Sequence, residues 1–186
     1  KVDAQGTPRL RQSFQALKNS VEYRWEWRQQ AYGAWTQLDT WRLDEPAWRP
    51  LRFAAPDQLW VYAETEQRDT FGLHSLGLLA GAMGTARVSS STADMARVWW
   101  STSQSAPAMV EWDSLIPAQR ALLPEWRQWQ QQLQGKDTSA HWLLRQVQES
   151  QQQALVTRVD GRQAESWWRY DLEAQDLQVL GQTWPE

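Results

Sequence analysis

The sequence predicts an α+β fold, in which an antiparallel β-sheet is combined with a few helices. Three observations lead to this prediction. Apolar and polar residues alternate strictly near both ends of the chain, which predicts strands. Apolar residues recur every three or four positions at the N-terminus and across the segment 114–150, which predicts helices. The predicted strands also follow one another, without the strand–helix–strand alternation of a parallel sheet.

A helix is predicted over residues 9–21. Its apolar residues, from Leu10 to Val21, are spaced by four, three and four positions, so they would lie along one face of a helix. Pro8 stands where the first turn of a helix tolerates a proline. We therefore expect an N-terminal helix ahead of the sheet.

An antiparallel meander is predicted over residues 20–67. The segment 21–27 alternates apolar residues with Glu–Arg–Glu–Arg, which is the pattern of a strand with one solvated face. A turn at Tyr32–Gly33 leads into a return strand over 35–43, and a further strand is predicted over 59–66.

The middle of the chain is predicted to be a buried helix followed by a short strand. Residues 71–84 are apolar and glycine-rich, and Gly77 and Gly81 are four positions apart, which would put both on one helix face. The segment 97–101 predicts a short strand. A polar connection over 101–107 is predicted to be a surface loop.

Three helices are predicted between residues 114 and 150. The first runs from Ser114 to Pro124. The second, over 124–135, has its tryptophans and a leucine on one face and a glycine at its end. The third, over 137–147, begins with capping residues and has apolar residues on one face.

The C-terminal part is predicted to return to strands. Asp160–Gly161 separates the segments 154–159 and 164–170, which is the pattern of a β-hairpin, and a final strand is predicted over 177–180.

We expect residues 1–186 to form a single α+β domain. A subdivision near 101–113 would divide it into 1–100, a helix plus the meander, and 114–186, helices plus the hairpin.

The composition excludes several classes of function. The chain has 186 residues, a formal net charge of −3 and a sequence pI of about 5.5, so it lacks the basic balance of a nucleic-acid-binding protein. It contains no cysteine, which excludes disulfides, thiolate metal sites and a cysteine nucleophile. It has no run of the roughly 20 apolar residues that cross a bilayer. We therefore expect neither a nucleic-acid partner nor an integral membrane segment.

We expect the protein to be a periplasmic or membrane-tethered domain of the bacterial cell envelope, with a cytoplasmic location as the alternative. The sequence starts at Lys1 rather than at methionine, which is consistent with the removal of an N-terminal leader. A cysteine-free chain rich in tryptophan and glutamine suits the periplasm as well as the cytoplasm.

No catalytic, metal or cofactor site is predicted. His74 and His141 form none of the spacings that metal sites use, and no glycine-rich phosphate loop is present. Ser75 is one position too late for the esterase pattern G-x-S-x-G. The remaining enzymatic hypothesis is a small hydrolase without a motif, in which Glu111 and Asp113 would supply the carboxylate pair.

Tryptophan is the residue that points most directly to a function. The chain has 15 of them, and two adjacent pairs, Trp99–Trp100 and Trp167–Trp168, lie in predicted strands. Because successive side chains of a strand point to opposite faces, one member of each pair would reach the outer face of the sheet. Large exposed aromatic surfaces mark contact sites, so these four residues are the candidate binding residues.

From these features we predict a non-catalytic protein-binding or assembly component of the bacterial cell envelope, for example an accessory part of a secretion or pilus-type machine. The first alternative is a glycan-binding domain, in which exposed tryptophans stack on sugar rings while Arg, Gln and Glu side chains bind the hydroxyl groups. The second alternative is the hydrolase with a carboxylate pair.

Overall fold

The computed structural model describes residues 1–42, 48–65, 68–162 and 164–183. Over these residues the protein is mostly β, with fourteen strands and one α-helix. The strands are β1 (Leu10–Ala16), β2 (Val21–Trp27), β3 (Thr36–Arg42), β4 (Arg49–Ala55), β5 (Gln58–Thr65), β6 (Arg68–Gly77), β7 (Ala82–Met83), β8 (Met95–Trp100), β9 (Pro107–Trp112), β10 (Ala118–Ala121), β11 (His141–Gln148), β12 (Gln153–Val159), β13 (Ser166–Asp171) and β14 (Asp176–Gln182). The helix is α1 (Pro124–Gln134), and one 3₁₀ turn covers Glu149–Gln151. The prediction of an α+β fold with an N-terminal helix is therefore wrong.

The strands form four antiparallel sheets, each built from strands that are consecutive in the chain. Their orders are β1-β2-β3, β4-β5-β6-β7, β10-β9-β8 and β11-β12-β13-β14. Each sheet is thus an up-and-down meander. Neighbouring antiparallel strands need only short turns between them, so this topology requires no connecting helices.

The chain divides into two compact units, Lys1–Met95 and Ala96–Glu186. The first unit holds the β1–β3 and β4–β7 sheets, and the second holds most of the β8–β10 sheet, helix α1 and the β11–β14 sheet. The boundary lies just before the predicted subdivision at 101–113, and the single domain stays a prediction.

A tryptophan-rich core joins the two sheets of the first unit. Leu10 and Trp27 come from the first sheet, whereas Leu59 and Val61 come from the second. All four side chains are buried. Burying large aromatic side chains removes much apolar surface from water, which stabilises small sheets that could not fold alone.

Four aromatic rings continue this core as a stack. Tyr23 lies on Trp41, Trp41 on Trp25, and Trp25 on Trp48, with centroid distances of 5.6, 5.9 and 5.4 Å. The Trp48 indole Nε1 donates a hydrogen bond of 2.8 Å to Asp39 Oδ2, which fixes the end of the stack. The stack therefore connects β2, β3 and the residue that precedes β4.

The core of the second unit contains the helix. Trp126, Trp129 and Leu133 are the buried residues of α1, and they pack with side chains of both sheets of this unit. Pro124 begins the helix and Gly135 follows its last residue, so the helix predicted over 124–135 is confirmed. Among the described residues, no helix is long and apolar enough to cross a membrane.

The helix predicted over 9–21 is wrong because that segment pairs with the next strand. β1 and β2 are in register from Leu10–Trp27 to Ala16–Val21. Phe14, which would belong to the buried face of the predicted helix, is 74% exposed. The spacing of apolar residues resembles a helix, but the available partner strand decides the backbone conformation.

The buried helix predicted over 71–84 is also wrong, and the segment forms β6, a turn and β7. The glycines serve the sheet instead of a helix interface. A Cβ atom on Gly72 would lie 2.6 Å from the carbonyl oxygen of Val88. That oxygen accepts a backbone hydrogen bond of 2.9 Å from the amide of Leu73. Gly81 has a φ of +61°, which suits a tight turn. The glycine-rich composition therefore reflects close backbone approach and turning.

Two of the three helices predicted between residues 114 and 150 are wrong. The segment 114–124 is a loop followed by β10, and the segment 137–147 contains most of β11. In β11, Leu143 and Leu144 are both buried although they face opposite sides of the sheet, and the register shifts between Leu144 and Gln146. Burial on both faces together with a bulge breaks the period of two and produces a spacing close to that of a helix.

The strands with clear local patterns are confirmed. The segment 21–27 is β2, and the predicted strands over 35–43, 59–66 and 97–101 correspond to β3, β5 and β8, although residues 43 and 66 lie outside the described residues. The C-terminal hairpin and last strand are β12, β13 and β14. In the hairpin turn Gly161 has a φ of +70°, as the turn chemistry requires.

Candidate functional site

The first predicted tryptophan pair lies on β8, with its members on opposite faces. Trp99 is buried in the core of the second unit, and its Nε1 donates a hydrogen bond of 3.1 Å to the carbonyl oxygen of Arg145. The guanidinium of Arg97 lies 5.3 Å from the centre of the same indole. Trp100 is half-buried. Trp99 is thus a structural residue of the core, and a binding role for this pair stays a prediction.

The second predicted pair lies on β13. Trp168 packs against the core of the second unit, where its ring meets the ring of Trp142 edge-on at 5.7 Å. Its Nε1 donates a hydrogen bond of 2.9 Å to Ser166 Oγ. Trp167 is half-buried on the opposite face and is in register with Gly181 of β14. Trp99 and Trp168 are therefore brought to one core, and the binding role of the second pair also stays a prediction.

An apolar row crosses the β11–β14 sheet through Trp168. The residues in register are Leu144, Val156, Trp168 and Val179, one from each strand. The first two are buried, Trp168 is half-buried, and Val179 is 55% exposed. The apolar face of this sheet thus runs from the core out to its last strand, where solvent reaches it.

The last strand of this sheet has an open edge. Among the residues that the structure describes, β14 pairs with β13 alone, so half of its backbone N–H and C=O groups point away from the sheet. Leu177 and Val179 lie on the core face of β14. Leu180, at the register shift, is 57% exposed. β14 contains neither the lysine nor the proline with which many proteins protect an edge strand.

The opposite face of the same sheet mixes apolar and polar side chains. It carries a cleft of about 220 Å³ lined by Gln146, Leu155, Arg169 and Leu180, among other residues. Arg169 donates a hydrogen bond to the side-chain oxygen of Gln178 on β14. On this face the edge strand therefore presents the polar side chains of Asp176 and Gln178 beside Arg169 of β13.

A carboxylate fixes the loop between β8 and β9 in the second unit. Glu149 Oε2 accepts hydrogen bonds from the amides of Thr102 and Ser103 at 3.0 and 2.9 Å, and Oε1 accepts one of 3.0 Å from Trp126 Nε1. Burial raises the pKa of Glu149, but these hydrogen bonds outweigh it and bring the pKa to about 2. The group is permanently ionised near neutral pH and serves as an anchor for the loop.

Glu111 and Asp113, the carboxylates of the hydrolase hypothesis, lie in different surroundings. Glu111 is buried, and its Oε2 accepts hydrogen bonds from Gln119 Nε2 at 2.7 Å and Arg145 Nη1 at 3.3 Å. Asp113 is exposed in the turn after β9. Glu111 thus connects β9 to β10 and β11 through its side-chain partners, and the hydrolase remains a hypothesis.

The histidine and serine that are adjacent in sequence point apart. His74 is buried, with Nδ1 3.1 Å from the carbonyl oxygen of Gly84, and Ser75 follows it on the other face of β6. Within the residues that the structure describes, no group of three or more His, Asp or Glu side chains is arranged to hold a metal ion.

The sequence reasoning missed the edge residues Leu177, Val179 and Leu180. The uncharged stretch that follows Asp176 is visible in the sequence, but it does not show which strand ends the sheet.

Comparison with known proteins adds little to this description. No protein-family model and no curated protein matches the chain. One solved structure, from a study of two prolyl endopeptidases, is similar with a TM-score of 0.45 and 13% sequence identity. The similarity covers 96% of this chain but 30% of that structure. At these values it supports no argument about the fold or function of this protein.

Proposed function

We propose that this protein is a non-catalytic binding protein that takes an extended segment of a protein partner onto the open edge of β14. The observation that carries the proposal is the apolar row that ends at the exposed Val179 on an unpaired strand edge. Strand addition of this kind derives affinity from backbone hydrogen bonds and specificity from alternate side chains.

The backbone of β14 supplies the first part of the interaction. From Asp176 to Val179 the pairing with β13 is regular, so every second residue of this stretch directs its N–H and C=O groups outward. A partner strand would satisfy these groups and would extend the sheet from four strands to five.

The side chains of β14 specify the kind of segment that fits. Leu177 and Val179 lie on the core face, and apolar residues of an added strand would continue that face. On the other face β14 presents Asp176 and Gln178, and Arg169 of β13 already donates a hydrogen bond to Gln178, so uncharged polar residues suit the alternating positions. The expected partner segment therefore alternates apolar with uncharged polar residues.

The location of the partner in the bacterial cell envelope is part of the same proposal. It rests on composition, since the chain is cysteine-free and rich in tryptophan and glutamine. Fractionation of the native cells into cytoplasm, periplasm and membranes tests it.

Affinity capture with matched variants tests the docking edge. Val179→Lys places a charge where an apolar strand would pack, and Leu115→Lys makes the same kind of change at a fully exposed position elsewhere in the second unit. We expect the wild type and Leu115→Lys to recover the same stoichiometric partner and Val179→Lys to lose it. Equal recovery by all three proteins would contradict the proposal. Loss of a wild-type dimer in Val179→Lys would also contradict it, because the occupant would then be a second copy of this chain.

A further inference from the structure

We propose that the first unit binds a short, uncharged oligosaccharide in a cleft between its two sheets. The cleft has a volume of about 610 Å³, within the ~300–1,000 Å³ that small-molecule sites occupy. One wall is the connection between β2 and β3, and the other is the turn between β6 and β7, residues 78–81. This site is separate from the β14 edge, and it takes a different class of ligand.

Backbone hydrogen bonds hold both walls of the cleft in place. In the β2–β3 connection the Gly33 amide donates a hydrogen bond of 3.1 Å to the carbonyl oxygen of Gln30. In the opposite turn the amide of Leu78 donates one of 2.8 Å to the carbonyl oxygen of Asp57, and the Leu78 side chain is buried. A cleft with fixed walls loses little conformational entropy when a ligand binds.

The lining of the cleft combines amides with apolar side chains. Gln29, Gln30 and Gln37 contribute side-chain amides, each of which both donates and accepts hydrogen bonds, as a sugar hydroxyl does. Leu38 and the exposed Leu79 contribute accessible apolar surface, whereas Trp27 and Leu78 are buried beneath the cleft. A sugar ring has hydroxyl groups around its rim and C–H groups on its faces, so it matches both kinds of lining.

The lining also argues against a charged ligand. None of the residues that the structure shows lining the cleft carries a charge. Beside it, the ring of Trp35 lies under the guanidinium groups of Arg11 and Arg28, at 4.5 and 4.7 Å from the ring centre. Arg11 also binds Glu26 through two hydrogen bonds of 2.9 and 3.0 Å. These arginines already have partners, so a ligand carboxylate or phosphate would gain little from them.

Calorimetric titration of the full chain tests the ligand class. The probes are neutral gluco-, xylo- and chito-oligosaccharides, with oligogalacturonate as the anionic comparison and neutral hexapeptides as the peptide comparison. We expect saturable binding of at least one neutral oligosaccharide and none of oligogalacturonate. A flat titration with all the neutral sugars, or preferential binding of the peptides, would overturn the proposal.

Variants locate the binding in the cleft. Gln37→Ala removes one amide, and Ala80→Trp fills the space from the exposed turn. We expect each to weaken binding about tenfold or more, whereas Gln12→Ala, an exposed glutamine of β1 outside the lining, leaves it unchanged. Circular dichroism of each variant verifies the fold. Equal affinity of wild type, Gln37→Ala and Ala80→Trp would place the sugar elsewhere and contradict the assignment.

Discussion

Val179 faces Trp168 across the β13–β14 pairing, so an apolar row that begins in the core ends at an exposed side chain on an open strand edge. The row is continuous through Val156 and Leu144. A sheet whose apolar face reaches its unpaired edge can be extended by another strand with little loss of packing. This relationship is the basis of the proposed binding function.

The two residues of this pair are predicted to differ in their effect on stability. Val179→Lys changes an exposed position and should alter the free energy of unfolding by no more than about 0.5 kcal/mol. Trp168→Ala removes a ring that packs on Trp142 and should cost about 2 kcal/mol or more. Urea denaturation of both variants measures this difference. If Val179→Lys proved as destabilising as Trp168→Ala, its loss of partner binding would not identify the edge.

Two glycines of β6 are predicted to differ in how much stability is lost when each is replaced by alanine. A Cβ on Gly72 would lie 2.6 Å from the carbonyl oxygen of Val88, so Gly72→Ala must displace backbone and should cost several kcal/mol, about 3 or more. On Gly77 the nearest atom, the carbonyl oxygen of Ala82, is 3.8 Å away, and Gly77→Ala should change stability by less than about 1 kcal/mol. Thermal unfolding compares them. Equal sensitivity of both positions would contradict the pairing of Leu73 with Val88.

Glu149 is predicted to make the second unit sensitive to acid. Its pKa is about 2 in the folded protein and 4.5 when unperturbed, so the unfolded chain binds the proton more readily. The stabilisation is complete above about pH 4.5 and is lost as the pH falls through about 2. The measurement is the free energy of unfolding between about pH 6 and about pH 2.5, an interval that contains the unperturbed pKa and most of the expected loss. We expect the wild type to lose more stability over this interval than Glu149→Gln.

The control for this prediction is Glu173→Gln, at an exposed carboxylate of the same unit. It should retain the acid sensitivity of the wild type. At neutral pH Glu149→Gln should itself be less stable by about 1–3 kcal/mol, because its amide nitrogen cannot accept the hydrogen bonds that one carboxylate oxygen receives. Parallel pH profiles of wild type and Glu149→Gln would show that this carboxylate does not anchor the β8–β9 loop.

The elements that sequence could predict are those whose signal is local. The alternation of 21–27 and the Asp160–Gly161 turn fix a strand and a hairpin within a few residues of chain, and both predictions are confirmed. The helix α1 is likewise predicted by its proline, its apolar face and its terminal glycine.

The remaining elements depend on distant partners. Residues 9–21 have a helical spacing, but β1 forms because β2 is available along its whole length. β11 is buried on both faces and carries a bulge, which hides its period. The adjacent tryptophans could be recognised in the sequence because they are neighbours in the chain. The exposed edge at Val179 could not, because the whole topology decides which strand ends a sheet.

Residue-resolved amide hydrogen exchange on β14 tests the central claim most directly. It compares the free chain with its complex with the captured partner. We predict that the outward amides between Asp176 and Val179 exchange quickly in the free chain and become protected in the complex, since a new strand binds them. Unchanged exchange along β14, with protection appearing on other strands, would contradict strand addition at this edge.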